Sequence, residues 1–214
     1  LDHHLSRQVE IQGWDEAAPM AAQQFGGAGL DYQARHGIAD ETFGLISVKA
    51  RRHAANNPLA LFRTPITIEE VMASKHIYGP ITRFQACPPT CGAAAALLVS
   101  PAFAAKHGLD AGVEIVAQAM TTDVAESFEG RSMMRVVGYD MTRAAADQVY
   151  RASGIGPDDI QLVELHDCFS PNELISYEAP FGVGYMVAQL ATHHEVRLEL
   201  PALARKAVES RIYA

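Results

Sequence analysis

The stretch 163–173, Val-Glu-Leu-His-Asp-Cys-Phe-Ser-Pro-Asn-Glu, decides how the chain is expected to fold around its most informative residues. Apolar residues fill most of Ile160–Leu165, which predicts a short buried strand. Ser170 then suits a helix N-cap, and Glu173 would complete a capping box with it. His166 and the Asp after it are therefore expected where a strand ends and a helix begins. In α/β sheets such a junction binds ligands and stabilises negative charge.

The composition is that of a globular protein. Of 214 residues, 49% are hydrophobic and 20% are charged, which argues against disorder. A formal net charge of −8 argues against a nucleic-acid partner, because binding its backbone requires a basic surplus. No apolar run is long enough to cross a bilayer, so we expect no membrane span. The three cysteines, Cys87, Cys91 and Cys168, are too few for a disulfide framework and indicate a reducing, cytoplasmic compartment.

Strand and helix signals alternate through the middle of the chain. This alternation predicts an α/β layered fold, with a mixed sheet covered by helices. In the first part of the chain, Gly26, Gly27 and Gly29 are expected to loosen any helix between Glu16 and Tyr32. Helices are predicted for Ile38–Ala54, after a cap at Thr67, from Ser100 to Gly108, and for Thr142–Ser153. Strands are predicted for Ile81–Phe84, Ala93–Val99, Val113–Met120 and Ile160–Leu165.

Several short blocks accompany the His-Asp-Cys-Phe sequence at 166–169, in a fixed order. They are Asn-Asn-Pro at 56–58, Glu-Val-Met-Ala-Ser-Lys at 70–75, Cys-Pro at 87–88, Gly-Ala-Ala-Ala-Ala at 92–96, Met-Thr-Thr-Asp at 120–123 and Val-Gly-Tyr-Asp-Met at 137–141. Together these blocks resemble the sterol-carrier-protein-type thiolases, also called lipid-transfer-protein thiolases. An ordered set is far more specific than any single motif. The resemblance covers about residues 1–179 and implies a thiolase-like layered fold.

The resemblance also divides the chain into three parts. Residues 1–78 resemble the helix-rich excursion that faces coenzyme A and the acyl group, and residues 79–179 resemble part of the C-terminal thiolase half. Residues 180–214 depart from the family, and two helices are predicted there, Tyr185–Glu199 and Pro201–Tyr213. Since the first matching block lies well inside the family's proteins, we expect this chain to be a fragment.

Family resemblance implies acyltransferase chemistry on coenzyme A thioesters. A 3-ketoacyl-CoA is cleaved by coenzyme A or formed by condensation, with coenzyme A as a substrate and no separate cofactor. The family's histidine in His-Asp-Cys-Phe helps to bind the thioester oxyanion, and at this position the chain has His166. Met20, Phe25 and Phe169 are the expected substrate-binding residues, and Met20 and Phe25 are expected to line the acyl channel. A homo-oligomer, in the family a dimer, is also expected.

Other parts of the family's catalytic set are absent from this sequence. It contains no Gly-His-Pro, and no Cys-x-Gly follows Cys168, so we expect the chain to be inactive as a thiolase by itself. Cys168 is expected to be a small buried side chain rather than a nucleophile. Two alternatives stay open. One is a thiolase-like aldolase that acts on steroid side-chain thioesters with a separate partner domain, and the other is a truncated, non-catalytic protein.

No metal site is expected from the sequence. Cys87 and Cys91 are spaced more widely than a zinc knuckle requires, and no second pair of ligands follows them. The adjacent histidines His3 and His4 are expected to be exposed, because neighbouring residues on a helix point in different directions.

Overall fold

The computed structural model describes residues 2–109, 113–160 and 163–181. Most of this part of the chain is helical or irregular. The helices are α1 (Asp2–Gln12), α2 (Met20–His36), α3 (Asp40–Ala54), α4 (Ile68–Ala73), α5 (Pro101–His107), α6 (Met133–Val136), α7 (Tyr139–Ser153) and α8 (Ser170–Phe181). Two short strands, β1 (His76–Tyr78) and β2 (Ile81–Thr82), lie between α4 and α5.

The helix boundaries follow the capping signals of the sequence. At α4 the Thr67 side chain accepts from the backbone N–H of Glu70, and the Glu70 side chain binds back to the Thr67 N–H. This reciprocal pair satisfies two backbone donors that the helix leaves free. At the other ends, Gly108 after α5 and Gly154 after α7 have φ of 62° and 70°. Glycine adopts this left-handed conformation without a Cβ clash, which confirms both predicted ends.

Helix α2 runs unbroken through its glycines, so the prediction that they loosen it is wrong. These glycines are buried and allow close packing. A Cβ at Gly29 would lie 2.8 Å from Pro80 and 3.2 Å from Pro171, at the start of α8. A Cβ at Gly26 would lie 2.8 Å from Tyr78. The glycines therefore bring α2 against the β1–β2 hairpin and α8, and this packing offsets their weak helix propensity.

The hydrophobic core lies where α2, α3, α6 and α8 meet. Phe43 of α3 is fully buried, and Met133 and Met134 of α6 fill the space next to Tyr32 of α2. Helix α7 packs on the outer side of α8. The buried cluster consists of Ala28, Tyr32, Phe43, Ile46, Met133, Met134, Val136, Leu174, Ile175 and Tyr177. Helix α8, which follows the His-Asp-Cys-Phe sequence, is therefore anchored in the core along one face.

The sheet of the described residues is much smaller than the predicted one. Strands β1 and β2 pair antiparallel, and one isolated antiparallel bridge joins Ala86 to Phe169. The predicted strands 93–99 and 113–120 are irregular and largely exposed, so these assignments are wrong for this structure. A strand needs a neighbour for its backbone hydrogen bonds, and none lies beside these segments among the described residues. The α/β prediction is thus met only in part.

Other predictions fall wholly or partly outside the described residues. The helices predicted for 185–199 and 201–213 lie entirely outside, as do positions 161 and 162 of the predicted strand 160–165. Its described residues, Ile160 and Val163–Leu165, have no regular structure. Within the described ranges, no helix has both the length and the apolarity that crossing a membrane requires.

Candidate functional site

Three hydrogen bonds hold the His-Asp-Cys-Phe segment and the first residue of α8. The Asn172 side chain donates to the carbonyl oxygen of His166 at 2.5 Å, which ties the segment to the first turn of the helix. From the other side, the backbone N–H of Cys87 donates to the carbonyl oxygen of Cys168 at 2.9 Å. Nearby, Gln85 Nε2 donates to Ser170 Oγ at 3.1 Å. The segment is therefore fixed between its own helix and residues 85–87.

His166 lies on this fixed segment with its side chain exposed to solvent. Four residues later α8 begins, a helix of 12 residues whose free N–H groups carry a partial positive charge. An exposed imidazole beside a helix N-terminus can donate to an anionic oxygen. The predicted oxyanion-binding role of His166 stays a prediction, and the geometry leaves its ring accessible for that role.

A cavity of about 200 Å³ opens between α3, residues 84–88 and the start of α8. Asp167 and Ser170 contribute to its lining from the His-Asp-Cys-Phe side. On the α3 side, the guanidinium of Arg51 lies 4.4 Å from the ring centre of Phe62 and 5.9 Å from that of Phe84. The full lining is Ile46, Ser47, Ala50, Arg51, Phe62, Phe84, Gln85, Ala86, Cys87, Pro88, Asp167, Ser170 and Glu173.

Glu173 does not form the predicted capping box. Helix α8 begins at Ser170 itself, and the carboxyl group of Glu173 accepts hydrogen bonds from Lys49 Nζ and from the hydroxyl of Tyr177. Lys49 Nζ also donates to the Tyr177 hydroxyl, so the three groups form a closed buried network. A buried ammonium pairs with a carboxylate more strongly than a helix N–H does, which is why the tertiary contact displaces the local cap.

Burial shifts the pKa of two members of this network, Lys49 and Glu173. It lowers the pKa of Lys49, an effect that the charge of nearby Asp167 opposes, and it raises the pKa of Glu173. The sequence patterns that indicate the site do not include Lys49 or Tyr177. The sequence signal that points to Lys49 is its position three residues after Ile46, on the buried face of α3. Such a position requires a long charged side chain to find a partner in the core.

The predicted substrate-binding residues are only partly brought together. The Phe25 ring stacks on the Phe169 ring, with centroids 5.4 Å apart and planes at 27°. Both rings are half-buried, so α2 reaches the His-Asp-Cys-Phe segment through this contact. Met20, the first residue of α2, lies five positions before Phe25 and is 41% exposed. The binding roles of all three residues stay predictions.

The remaining cysteine and histidine predictions have mixed outcomes. Cys168 is buried as expected, whereas Cys87 and Cys91 are exposed. His3 is exposed, but His4 is half-buried, with Nε2 3.1 Å from a carboxylate oxygen of Asp123, so its expected exposure is wrong. Across the described residues, no group of three or more His, Cys, Asp or Glu side chains is arranged to hold a metal ion.

Known proteins resemble this chain in both sequence and structure. The model of the thiolase C-terminal domain-like family matches residues 124–185. Sterol carrier protein 2 of Bos taurus is 45% identical over 180 residues, which cover 84% of this chain and 33% of the relative. Non-specific lipid-transfer protein-like 2 of Caenorhabditis elegans is 37% identical over 193 residues, or 87% of this chain and 47% of the relative.

A solved structure described as an Ltp2-ChsH2(DUF35) aldolase superposes with a TM-score of 0.62 and 25% identity, covering 74% of this chain and 42% of that one. These matches define a member of the thiolase superfamily. Within that superfamily, the chain belongs to the sterol-carrier-protein type. It spans about a third of the length of the Bos taurus relative.

Proposed function

We propose that this chain supplies the oxyanion-binding part of a thiolase-type acyl-CoA site, with His166 as the donor. The observation that carries the proposal is the exposed His166 ring on a segment fixed at the N-terminal end of α8. Thiolysis and condensation of 3-ketoacyl-CoA both develop negative charge on a thioester oxygen, which preorganised donors stabilise. In this proposal coenzyme A is a substrate and no separate cofactor takes part.

The same proposal places the acyl group against the stacked rings of Phe25 and Phe169. Phe169 belongs to the fixed segment and Phe25 stacks on it, and both rings present apolar surface that is only half-buried. An acyl chain packed on these rings would be excluded from water close to the reacting thioester. The proposal places the acyl chain against α2 and the thioester oxygen toward His166.

The enolate of acetoacetyl-CoA tests this proposal without requiring turnover. A site that stabilises an oxyanion increases the fraction of acetoacetyl-CoA in the enolate form. The ultraviolet absorbance of the enolate is measured as the 214-residue chain is added. We expect the absorbance to rise with the wild-type chain and to lose most of that rise in His166→Ala, since one oxyanion donor contributes roughly 3 kcal/mol. His107→Ala changes an exposed histidine at the end of α5 and serves as the matched control.

An equal rise with wild type and His166→Ala would contradict the proposal. So would a chain that leaves the enolate absorbance unchanged while it binds the thioester, as measured by calorimetry. Thiolysis by the chain alone is expected to stay at background. Neither the Gly-His-Pro nor the Cys-x-Gly sequence is present to activate or protonate a reacting group.

A second candidate is retro-aldol cleavage, which the superposition on the aldolase structure favours. This reaction breaks a carbon–carbon bond of a 3-hydroxyacyl-CoA and requires no acyl-transfer cysteine. The two reactions differ in one measurable respect. Thiolysis consumes the free thiol of coenzyme A, whereas aldol cleavage releases an aldehyde or ketone without consuming any thiol. Incubation of a branched 3-hydroxyacyl-CoA with the chain, followed by carbonyl detection, distinguishes them.

A further inference from the structure

Two short segments meet in antiparallel register beside the cavity, and each carries a cysteine. Three consecutive contacts define the register. Gln85 binds Ser170 through its side chain, Ala86 forms the isolated bridge with Phe169, and the Cys87 N–H binds the Cys168 carbonyl. In this register Cys87 lies directly opposite Cys168.

Directly opposed residues of an antiparallel pair have Cα atoms about 4.5–5.5 Å apart and side chains on the same face. A disulfide joins cysteines whose Cα atoms are roughly 4.4–6.8 Å apart. The backbone arrangement at Cys87 and Cys168 therefore lies within the range that a disulfide can span. Both thiols are free in this structure.

The third cysteine provides an internal comparison. Cys91 is exposed and follows Cys87 by four positions, with two prolines between them. It lies beyond the bridged residues 85–87. If proximity in sequence decided the pairing, Cys87 would pair with Cys91. If the fold decides it, Cys87 pairs with Cys168.

We propose that Cys87 and Cys168 form a reversible disulfide when the chain meets a peroxide. The peroxide oxidises the exposed Cys87 thiol to a sulfenic acid and is itself reduced, releasing one water from hydrogen peroxide. The Cys168 sulfur then attacks the Cys87 sulfur, forms the S–S bond and expels the hydroxyl group as a second water. A dithiol reductant reverses the reaction by thiol exchange and takes up the disulfide itself.

The environments of the two thiols support this order of events. Cys87 is exposed and lines the cavity, so an oxidant reaches it from solvent. Burial, and next the nearby thiol of Cys87, raise the pKa of Cys168 to about 11. A buried thiol with a raised pKa reacts slowly with a dissolved oxidant. The backbone register nevertheless places Cys168 directly opposite Cys87.

The disulfide would add a covalent bond between residues 85–87 and the His-Asp-Cys-Phe segment. Asp167, Ser170 and Cys87 all line the cavity, so oxidation would fix its mouth in one arrangement. This site does not depend on the proposed acyl-CoA role, because the thiols react whatever ligand the cavity accepts. In a reducing compartment such a bond would form only during oxidative exposure.

Peptide mapping of the oxidised 214-residue chain tests the proposal. Trypsin places Cys87 and Cys91 together in the peptide 84–106 and Cys168 in the peptide 152–197. The reduced chain carrying Cys91→Ser is treated with an equimolar amount of hydrogen peroxide, alkylated and digested without reduction. We expect most molecules to contain a disulfide between the two peptides within one chain. The linked pair should be two hydrogen atoms lighter than the two separate peptides together, and dithiothreitol should break the link.

Two comparisons show whether the fold, rather than the reactivity of the thiols alone, determines which cysteines pair. The variant Cys87→Ser changes an exposed side chain and should abolish the cross-link while circular dichroism stays unchanged. In guanidinium chloride, the wild-type chain should instead form the short-range Cys87–Cys91 pair, because a smaller loop closes more readily. Failure of the folded Cys91→Ser chain to cross-link would overturn the proposal. Cross-links only between chains, or to the same extent in denaturant, would also overturn it.

Discussion

Lys49 and Glu173 form a buried ion pair that joins α3 to the first turn of α8. Their side chains lie in the core with exposures of 7% and 4%, and the hydroxyl of Tyr177 completes the network. The pair fixes α8 only a few residues after the His-Asp-Cys-Phe segment. It therefore connects the core of the protein to the candidate site.

Removal of the ammonium group should destabilise the protein strongly. Lys49→Met leaves the carboxyl group of Glu173 without its cationic partner, and breaking a buried pair in this way costs about 3 kcal/mol or more. We expect the free energy of unfolding, measured by urea denaturation, to fall by about that amount. Lys106→Met replaces an exposed lysine of α5 and should change it by less than about 0.5 kcal/mol.

The combined variant Lys49→Met, Glu173→Leu and Tyr177→Phe tests whether the unpaired charge causes the loss of stability in Lys49→Met. It removes every polar member of the network and keeps its volume, so it should recover much of the loss. If Lys49→Met alone were as stable as wild type, the pair would have no stabilising role. A combined variant less stable than Lys49→Met would point to packing rather than charge.

The position of this network shows which features local sequence can predict. The start of α8 at Ser170 is predictable, because serine followed by proline is a local signal for a helix start. The partner of Glu173 is not, since Lys49 is 124 positions away and only folding brings it near. A capping box would satisfy the same side chain locally, so the sequence pattern alone favours the wrong partner. Long-range pairs of this kind require the tertiary structure.

The predictions for the glycines of α2 and for two of the strands are wrong for different physical reasons. Gly26 and Gly29 lower helix propensity, but they permit close contact with neighbouring elements, which no local pattern indicates. Residues 93–99 and 113–120 have the composition of strands, but a strand forms only beside another strand. The sequence places Phe25 and Phe169 in one site only through family resemblance, and it does not indicate that their rings stack.

Close packing at Gly29 predicts a site-specific cost for an added methyl group. In Gly29→Ala the new Cβ would lie 2.8 Å from Pro80, a stiff ring, and 3.2 Å from Pro171. We expect the free energy of unfolding to fall by about 1–3 kcal/mol, despite the better helix propensity of alanine. Gly92→Ala is the matched control, because no atom lies within 4 Å of the place that its methyl group would occupy. Equal stability of both variants in urea would contradict this account of α2.

The raised pKa of Cys168 predicts slow alkylation that accelerates at high pH. Burial, with a smaller effect from Cys87, raises this pKa from 9.0 to about 11, so at pH 8 the thiolate fraction is roughly a hundredfold below that of an unshifted thiol. Iodoacetamide should therefore label Cys168 slowly at pH 8 and about tenfold faster per pH unit up to pH 11. Mass spectrometry of the peptide 152–197 follows the reaction, with the denatured chain as the fast control.

The same shift affects stability in a defined direction. The folded state keeps the Cys168 proton above pH 9, where the unfolded chain releases it. The raised pKa therefore contributes stability that is fully present below pH 9 and is lost as the pH rises towards 11. Urea denaturation should show a steeper alkaline loss for wild type than for Cys168→Ala. In the alkylation experiment, rapid labelling of Cys168 at pH 8 that acyl-CoA prevents would instead indicate a reactive thiol.

The aromatic pair predicts a measurable coupling between α2 and the His-Asp-Cys-Phe segment. Phe25→Leu and Phe169→Leu should each lower stability, and the double variant should lose less than the sum. Stacked rings contribute about 0.5–1.5 kcal/mol beyond their buried area, so a coupling in that range is expected from the double-mutant cycle. Additive losses would mean that the two rings stabilise the protein independently.

The exposed apolar residues on segments 93–99 and 113–120 predict that the chain associates with itself. Leu98 and Val113 are 75% and 92% exposed. Within the part of the chain that the structure describes, the irregular backbone of these segments forms no backbone hydrogen bond, so its N–H and C=O groups can pair with another chain. Sedimentation velocity should show an average mass that increases with concentration. Because each apolar side chain buried on association contributes about 1.5–3 kcal/mol, the double variant Leu98→Lys, Val113→Lys should weaken self-association roughly tenfold or more.

Leu59→Lys is the control: it changes a residue of similar exposure, 91%, outside both segments, and should leave self-association unchanged. A wild-type chain that sediments as a monomer at every concentration would contradict the prediction, and an equal effect of Leu59→Lys would show that the two segments are not the interface.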